Sequence, residues 1–400
     1  MALTSVAEAQ SRLLGSVVPL AVETVSIEAA AGRVLAQDLA ARRTQPPFAA
    51  SAMDGYAVRG ADAGAGSVLA VIGEAAAGRG LPRPVGPGEA ARIFTGAPLP
   101  DGADTVVIQE DTARDGDRVT LTAATAPGRN VRPAGLDFAE GHVLLPAGRR
   151  LDARALGLAA AMNHGVLPVR RAPRVAVLAT GDELVAPGTE PVGPDRIVAS
   201  NQIAIAAMVR ELGGEPIALG IAPDDLDAIR GRIRAGLDAG ADVIVLLGGA
   251  SVGDHDLTGP ALAAEGVAFD VQKLAMRPGK PLMLGRRGAV HALGLPGNPV
   301  SSHVGAVLFL APLLRALQGE TDPLPRLEPA VLGTPLRAND HRQDYLRATL
   351  AVDGGRLVAT PASLQDSSVI SVLAASNALI VRPPHAPAAA GGDTVDVVRL

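Results

Sequence analysis

The stretch Asp242-Val-Ile-Val-Leu-Leu-Gly-Gly-Ala-Ser-Val-Gly-Asp-His-Asp256 decides the fold of the central part of this 400-residue chain. Its first six residues predict a buried strand, because a short, continuous apolar run rich in β-branched residues is typical of a strand covered on both faces. The glycines that follow predict a turn out of that strand. Such a strand and turn are typical of a parallel sheet with helices on both faces.

Residues 171–318 repeat this alternation of strand and helix. Apolar runs and helical periodicity predict strands over 174–179, 216–221, 242–247 and 269–274, and helices over 200–212, 224–239 and 299–317. We therefore predict a doubly wound α/β domain over 171–318.

The flanking segments have different patterns. Residues 1–45 and 141–170 predict a helical domain, with helices at 5–14, 28–39 and 151–162 that pack together. Residues 46–140 predict a β-rich domain inserted into it, with strands at 67–72, 105–108 and 118–122. Residues 319–400 predict a C-terminal β-barrel-like domain, with alternating segments at 347–352 and 394–398. The fold class is thus multidomain α/β plus β.

Composition excludes several classes of function. A net charge of -5 argues against nonspecific nucleic-acid binding, and aromatic residues at 2% leave few stacking platforms for single strands. The absence of Cys excludes disulfides, thiolate metal ligands and a Cys nucleophile. The N-terminal residues do not resemble a signal peptide, and no long apolar run indicates a membrane span. These features predict a cytoplasmic protein without membrane contact.

Three loops follow predicted strands or lead into a helix: Thr180–Leu184, Gly248–Asp256 and Leu295–Ser302. In a doubly wound sheet such loops meet at the carboxyl edge, where backbone N–H groups and helix N-termini bind anions. The first two loops carry carboxylates, namely Asp182, Glu183, Asp254 and Asp256. Carboxylate oxygens and clustered N–H groups together indicate a Mg²⁺–phosphate site.

Two lysines, Lys273 and Lys280, are the only lysines among 36 Lys and Arg residues. They flank Pro278 and Gly279 in one short segment, so the backbone around them is constrained. An ammonium is a compact point charge that a guanidinium does not replace, which indicates an oxyanion site.

Each motif alone also has a structural interpretation. Thr180–Leu184 and Gly248–Asp256 are common as plain turns, and His255 is more typical of a loop group than of a metal ligand. The Asp54-Gly55 pair is typical of a hairpin turn. The loop 129–137 is either the rim of an anion site or a solvated turn, and the two lysines could be neighbours by chance.

Together these segments resemble the molybdopterin molybdenumtransferase family, the MoeA family that includes the C-terminal part of gephyrin. The resemblance runs in order from near residue 24 to the C-terminus. It is carried by Pro47-Phe48, Ser51-Ala-Met-Asp-Gly-Tyr-Ala57, Ile93-Phe-Thr-Gly-Ala97, Gly102-Ala-Asp-Thr-Val106, Asn130-Val-Arg132, Gly135, Asp137, Thr180-Gly-Asp-Glu-Leu184, Ser200-Asn201, Gly248-Gly249, Ser251-Val-Gly-Asp254, Lys273, Pro278-Gly-Lys-Pro281 and Leu295-Pro-Gly-Asn-Pro-Val300.

The resemblance implies a homodimer whose active site lies between one subunit's molybdopterin-binding α/β domain and the partner's inserted domain. It implies that adenylylated molybdopterin and molybdate are the substrates. Cleavage of the phosphoanhydride with Mg²⁺ would give molybdenum cofactor and AMP. Contacts with the adenylyltransferase and with molybdoenzyme chaperones are further expected partners.

The resemblance also implies roles for individual residues. The expected catalytic residues are Asp54, Glu183 and Asp256, and the expected metal ligands are Glu183, Asp224 and Asp256. The expected substrate-binding residues are Thr95, Asp137, Thr180, Gly248, Gly249, Ser251, Lys273, Arg277, Lys280, Pro296, Gly297, Asn298, Arg342 and Ser367.

The chain departs from the family's pattern at Ala49-Ala50, at Arg277 and at Asp366-Ser-Ser368. Two other functions share part of the pattern: the preceding adenylylation of molybdopterin, and a non-catalytic carrier or scaffold. Molybdate and tungstate are both tetrahedral oxyanions, so either metal is compatible with these residues.

Overall fold

A computed structural model of the chain describes residues 3–249 and 257–400. The N-terminal part consists of a helix, two small two-stranded sheets (β1–β12 and β2–β11) and a second helix. Its apolar core surrounds the second helix and includes Leu35, Leu151 and Met162. The elements are α1 (Val6–Gly15), β1 (Val22–Ser26), β2 (Leu39–Ala40) and, after the inserted segment, β11 (Val143–Leu145), α2 (Ala153–Ala161) and β12 (Val166–Arg170).

The inserted segment forms a six-stranded sheet with the order β7-β4-β6-β5-β9-β8, and a two-stranded pair, β3–β10. Its strands carry separate apolar clusters on their two faces, around Tyr56 and around Ile93. The strands are β3 (Ala50–Ser51), β4 (Gly55–Val58), β5 (Val68–Ala75), β6 (Glu89–Ile93), β7 (Thr105–Ile108), β8 (Thr112–Asp115), β9 (Arg118–Leu121) and β10 (Val131–Arg132).

The central part contains a six-stranded sheet, here called the main sheet, with the order β16-β13-β17-β21-β20-β18. The first four strands are parallel, whereas β20 pairs antiparallel with β21 and β18 pairs antiparallel with β20 at one edge. The elements of the central part, in chain order, are β13 (Arg174–Thr180), β14 (Leu184–Val185), β15 (Ile197–Val198), α3 (Asn201–Glu211), β16 (Glu215–Ala222), α4 (Leu226–Asp238), β17 (Val243–Leu247), α5 (Thr258–Ala264), β18 (Ala268–Val271), β19 (Met276–Arg277), β20 (Met283–Arg287), β21 (Val290–Leu295), α6 (Pro299–Gly305) and α7 (Ala311–Leu317).

Both faces of the main sheet are covered by helices, as predicted for a doubly wound domain. Alternate residues of β13 point to opposite faces, because side chains along a strand alternate. Val175 and Val177 pack with α1, α3, α6 and α7, whereas Ala176 and Leu178 pack with α4 and α5. Residues 175–179 of this strand are therefore all apolar.

The C-terminal part is a closed five-stranded barrel with the order β23-β24-β22-β26-β25, in which β25 pairs back onto β23. The short strand β19 extends this sheet by pairing with β23, and so joins the barrel to the α/β domain. The elements are β22 (Glu328–Leu332), β23 (Gln343–Asp353), β24 (Arg356–Pro361), α8 (Ile370–Ala375), β25 (Ala378–Arg382) and β26 (Thr394–Arg399).

Two details of the predicted helical part are wrong. The segment 28–39 is not a helix: only Ile27–Ala29 forms a 3-10 turn. Gly32, with φ +72°, lies in a turn that follows it. The other helices do not pack together either, because Val6, Ala9 and Leu13 of α1 lie in the core of the α/β domain while α2 packs in the N-terminal core. An alanine-rich periodic segment satisfies the helical pattern without an apolar face large enough to stabilise a helix.

The stretch Pro299–Leu317 comprises α6, five π-helical residues (Ala306–Leu310) and α7. It is the one described helix with the length and apolarity of a membrane span, with a mean hydropathy of 1.6. Yet 78% of its most apolar 18-residue stretch is buried inside the protein, so it is a core helix.

Candidate active site

The carboxyl edge of the main sheet gathers the loops that follow β13, β16, β17 and β21. Helices α3, α4 and α6 begin at these loops, so their N-terminal N–H groups face the same edge. This edge, with the loops at 180–184, 222–225, 248–249 and 295–299, is called the site edge below.

The centre of the site edge is the contact between Thr180 and the glycine turn. Gly248 has φ +110°, and a Cβ at this position would lie 2.5 Å from the carbonyl oxygen of Thr180, so only glycine fits. Gly249 has φ +57°, and a Cβ there would lie 2.8 Å from the hydroxyl of Thr258, which donates to the carbonyl oxygen of Gly248 (2.7 Å). Thr180 itself is 4% exposed, and its hydroxyl has no hydrogen-bond partner among the described residues. A buried hydroxyl without a partner beside a glycine turn fits a ligand-binding position.

Two carboxylates join the loops after β13 and β16. The backbone N–H of Asp224 donates to Asp182 (3.1 Å), and the N–H of Asp182 lies 3.4 Å from Asp224. Glu183 is exposed next to them, and its carboxylate folds back over Gly181. Glu183 and Asp224 therefore lie on neighbouring loops that Asp182 joins, and their shared role in binding a metal stays a prediction.

The predicted Mg²⁺ ligands fit the ion by their chemistry, because Mg²⁺ binds carboxylate oxygens and keeps several waters. Within 3–249 and 257–400, no group of three His, Asp or Glu side chains forms a metal centre on its own. Ser251 and Asp256, predicted for substrate and metal, lie outside the described residues.

The loop Pro296–Asn298 is held by contacts from two directions. The side-chain amide of Asn201, the first residue of α3, donates to the carbonyl oxygen of Gly297 (2.7 Å). The side-chain amide of Asn298 donates to the hydroxyl of Ser367 in the C-terminal part (2.9 Å). Gly297 also packs against Gly248. The structure therefore brings Gly297, Asn298 and Ser367 together at the site edge.

The two lysines lie at the two ends of one loop, which a backbone hydrogen bond closes. The N–H of Leu274, which follows Lys273, donates to the carbonyl oxygen of Lys280 (2.9 Å). Gly279 lies against the carbonyl oxygen of Ser301, which places this loop beside the first turn of α6. Across the described residues, neither lysine has a carboxylate within ion-pair distance. This absence of a carboxylate partner among the described residues fits the predicted oxyanion site.

Arg277 is held differently from the lysines. Its guanidinium donates to both carboxylate oxygens of Asp344 and lies within 3.3 Å of Asp340. The side-chain hydrogen bond from Arg277 to Asp344 raises the pKa of the guanidinium. Arg342 pairs with the same Asp340 (3.0 Å). The two arginines, both predicted to bind substrate, therefore share a carboxylate network between β19 and the barrel.

Asp54 and Thr95 meet in the inserted sheet. The backbone N–H and the hydroxyl of Thr95 both donate to one oxygen of Asp54, at 2.7 and 2.8 Å. These bonds lower the pKa of Asp54, the backbone bond most, with a smaller contribution from the charge of Arg92. Arg92 in turn lies over the rings of Tyr56 and Phe94, at 5.3 and 4.7 Å from their centroids.

The inserted domain is separate from the site edge in a single chain. In the part of the chain that the structure describes, no hydrogen bond or ion pair joins residues 46–140 to residues 171–318. Asp137 is exposed on a loop of that domain, where its N–H donates to Gln45. Among the described residues, Asp54, Thr95 and Asp137 therefore make no hydrogen bond to the turn at Gly248 and Gly249 of the same subunit.

Sequence reasoning did not anticipate three positioning contacts. Asn201 binds the loop at Gly297, Arg92 binds the carbonyl oxygen of Gly55 beside Asp54, and buried Arg347 holds the segment around Ser367. A local signal existed for Asn201, because the residue opens a predicted helix at the carboxyl edge of the sheet. The other two depend on contacts distant in sequence.

Three family models match the chain in order: "MoeA N-terminal region (domain I and II)" at residues 4–163, "Probable molybdopterin binding domain" at 176–316 and "MoeA C-terminal region (domain IV)" at 329–400. A molybdopterin molybdenumtransferase of Nostoc sp. is 37% identical over 391 residues, covering 94% of this chain and 88% of the relative. The chain belongs to the molybdopterin molybdenumtransferase (MoeA) family.

Further relatives agree with this membership. Molybdopterin molybdenumtransferase 2 of Mycobacterium tuberculosis is 36% identical over 388 residues, covering 94% of each chain. A solved MoeA structure from Pyrococcus horikoshii has a TM-score of 0.84 at 31% identity and covers 100% of this chain and 99% of that one. The family resemblance and the multidomain fold class are both confirmed.

Proposed function

We propose that this chain is a molybdopterin molybdenumtransferase in molybdenum cofactor biosynthesis. It takes molybdate and adenylylated molybdopterin, and it releases molybdenum cofactor and AMP after cleavage of the phosphoanhydride bond. Family membership supports the transferase class. The arrangement of the site edge supports the choice of a phosphate-bearing substrate.

One observation carries this proposal: loops from four strands converge at a site edge that presents both N–H donors and carboxylates. The turn at Gly248 and Gly249 offers backbone close enough for a phosphate, and Thr180 adds a buried hydroxyl. Glu183 and Asp224 stand at the same edge. An anion site beside acidic residues is the combination that a metal-assisted phosphoanhydride cleavage requires.

Each group at the site edge has a task in this reaction. Helix N-termini and the glycine turn bind the phosphates, while Lys273 and Lys280 hold the tetrahedral oxyanion. Glu183 and Asp224, with Asp256, would hold Mg²⁺, which when bound neutralises phosphate charge and favours departure of AMP. The ligand supplies the sulfur that binds molybdenum, in agreement with a protein that has no Cys.

The inserted domain completes the site in a homodimer. Asp54 and Thr95 form a prepared polar group, yet they make no hydrogen bond to the α/β domain of their own described chain. We therefore assign Asp54, Thr95 and Asp137 to the active site of the partner subunit. The proposed setting is the cytoplasm, and contacts with the adenylyltransferase and with molybdoenzyme chaperones remain predictions.

AMP release from adenylylated molybdopterin, with Mg²⁺ and molybdate, tests the reaction. Glu183→Ala and Asp224→Asn should lower turnover by about 100-fold or more, since each removes a charge from the site edge. Asp238→Asn is the matched control, because Asp238 is exposed in the last turn of the same helix that begins near Asp224. Wild-type turnover by both site variants would refute the assignment.

Two other functions are outcomes of the same assay. Consumption of ATP with free molybdopterin would indicate the preceding adenylylation step, although the matched N-terminal and C-terminal regions favour the transferase. Tight binding of molybdopterin without AMP release would indicate a carrier or scaffold. Metal analysis of the product after incubation with molybdate and tungstate would identify the metal used.

A further inference from the structure

We propose that Arg347 is a positioning residue for the active site. It fixes the Gln365–Val369 segment, here called the latch, and the latch holds the loop Pro296–Asn298 at the site edge. The effect on turnover rests on the proposed function, whereas the effect on loop stability does not.

Arg347 is the largest fully buried side chain among those described, with 1% exposure. Its guanidinium makes no ion pair within the described residues, and burial lowers its pKa. A buried charge is costly unless hydrogen bonds compensate it. Its donors reach the carbonyl oxygens of Asp366 (2.8 Å) and Val369 (3.4 Å), so the charge is compensated by the backbone of the latch.

Gln365 joins Arg347 to the start of the latch. Its side-chain oxygen accepts from the backbone N–H of Arg347 (3.0 Å) and from Nε (3.3 Å), while its amide donates to the carbonyl oxygen of Arg347 (2.9 Å). The next turn is closed by Asp366, which accepts from the N–H (2.8 Å) and the hydroxyl (2.6 Å) of Ser368. The residue between them, Ser367, is thereby held in a fixed position.

Ser367 contacts the site edge through two hydrogen bonds. Its hydroxyl accepts from the side chain of Asn298 (2.9 Å), and its carbonyl oxygen accepts from the N–H of Val300 (3.1 Å). Asn298 is the N-cap residue of α6, but its side chain makes no bond to its own helix. The N–H of Val300 has no acceptor within its own helix, and it donates instead to a carbonyl group of the C-terminal part. The start of α6 therefore depends on the latch.

Arg347 is thus connected to the substrate loop by a continuous chain of contacts. It binds the backbone on both sides of Ser367, and Ser367 binds both sides of the Asn298-Pro299 turn. Loss of the guanidinium would free Ser367 to move, and the loop at Gly297 would lose one of its two supports. Substrate binding should weaken more than the chemical step.

Amide hydrogen exchange of the ligand-free protein tests the structural part. Arg347→Met should accelerate exchange at Val300 by about 10-fold or more, because the latch that protects this N–H is released. Arg382→Met is the matched control: Arg382 is also buried in the barrel, but its described guanidinium contact is with Pro387. Unchanged exchange at Val300 in folded Arg347→Met would overturn the proposal.

Steady-state kinetics test the catalytic part. Arg347→Met should raise KM for adenylylated molybdopterin about 10-fold and change kcat less than about 3-fold, and Arg347→Lys should recover only part of the loss. If Arg347→Met does not fold, Gln365→Ala carries the same expectations. This change removes the side-chain hydrogen bonds between Gln365 and Arg347 and leaves the buried arginine in place. Unchanged KM in that variant would overturn the role of the latch. Absence of turnover in the wild type would instead refute the proposed function.

Discussion

At the residue scale, the charge of Asp54 is set by Thr95. Two donors from Thr95 lower the carboxyl pKa below its ordinary value of 3.8, so Asp54 is ionised at neutral pH and accepts hydrogen bonds. Because the folded pKa is depressed, the stability that this carboxylate contributes is present above the unfolded pKa and is lost as pH falls through the folded pKa.

Thr95→Ala should move the pKa of Asp54 upward, though not fully, because the backbone N–H remains a donor. A carbon-13 NMR titration of the aspartate side chains measures this pKa. Asp104 is the internal control, since its pKa is lowered by Thr105 and Gly60 and should stay constant. An unmoved Asp54 pKa would show that the Thr95 hydroxyl does not stabilise the charge.

Gly248 lies so close to the carbonyl oxygen of Thr180 that the site edge has no room for a side chain at this position. Gly248→Ala should destabilise the protein by about 1–2 kcal/mol for the strained backbone and by about 1–3 kcal/mol more for the contact with the Thr180 carbonyl. Gly220→Ala is the matched control, because Gly220 has φ +77° but nothing within 4 Å of an added Cβ. Urea unfolding measures both losses, and equal losses would contradict the close approach.

At the scale of secondary-structure elements, Asp242 fastens the start of β17 to the segment that enters β13. It accepts from Arg171 at 2.9 and 2.7 Å and from the N–H of Arg174 at 2.8 Å. Asp242→Asn should lower the free energy of unfolding by about 1.5–3 kcal/mol, the range for hydrogen bonds to a charged group. Breaking the exposed Arg154–Asp152 pair with Arg154→Ala should cost less than about 0.5 kcal/mol. Chemical denaturation compares the two variants, and a similar loss in both would contradict the anchoring role.

The elements that sequence predicted well are those with one dominant physical signal. The run at Val243–Leu247 is apolar on both faces, and the stretch Pro299–Leu317 is long enough to exclude a strand. Loops at the carboxyl edge followed from that topology. The failure at 28–39 has the opposite cause: small alanines give a helical period without enough buried area to sustain a helix.

The site's supports were not predictable from local sequence. The contact between Asn298 and Ser367 joins residues 69 apart, and that between Asn201 and Gly297 joins residues 96 apart. Their side chains are small polar groups that suit any turn, so only the packing of the barrel on the α/β domain makes them partners. Arg277 shows the same dependence, because its pairing with Asp344 requires β19 to join the barrel sheet.

At the scale of the whole molecule, the chain divides its proposed active site between two distant surfaces. Glu183 and Asp224 stand at the site edge, whereas Asp54 and Thr95 stand on an inserted sheet without a described hydrogen bond to that edge. Under the proposed function, a single subunit therefore holds two half-sites. A symmetric dimer can join each half-site to its complement, and this gives two equivalent active sites.

Subunit mixing tests this division directly. Asp54→Asn and Glu183→Ala should each abolish turnover, but random exchange between equal amounts should restore roughly a quarter of the wild-type sites, because half the dimers are mixed and each holds one intact site. Mixing Glu183→Ala with Asp224→Asn is the control and should restore nothing, since both changes lie in the same half-site. Differently tagged subunits verify that mixed dimers form. Mixed dimers of the first pair that remain inactive would place Asp54 and Glu183 in the same subunit's site.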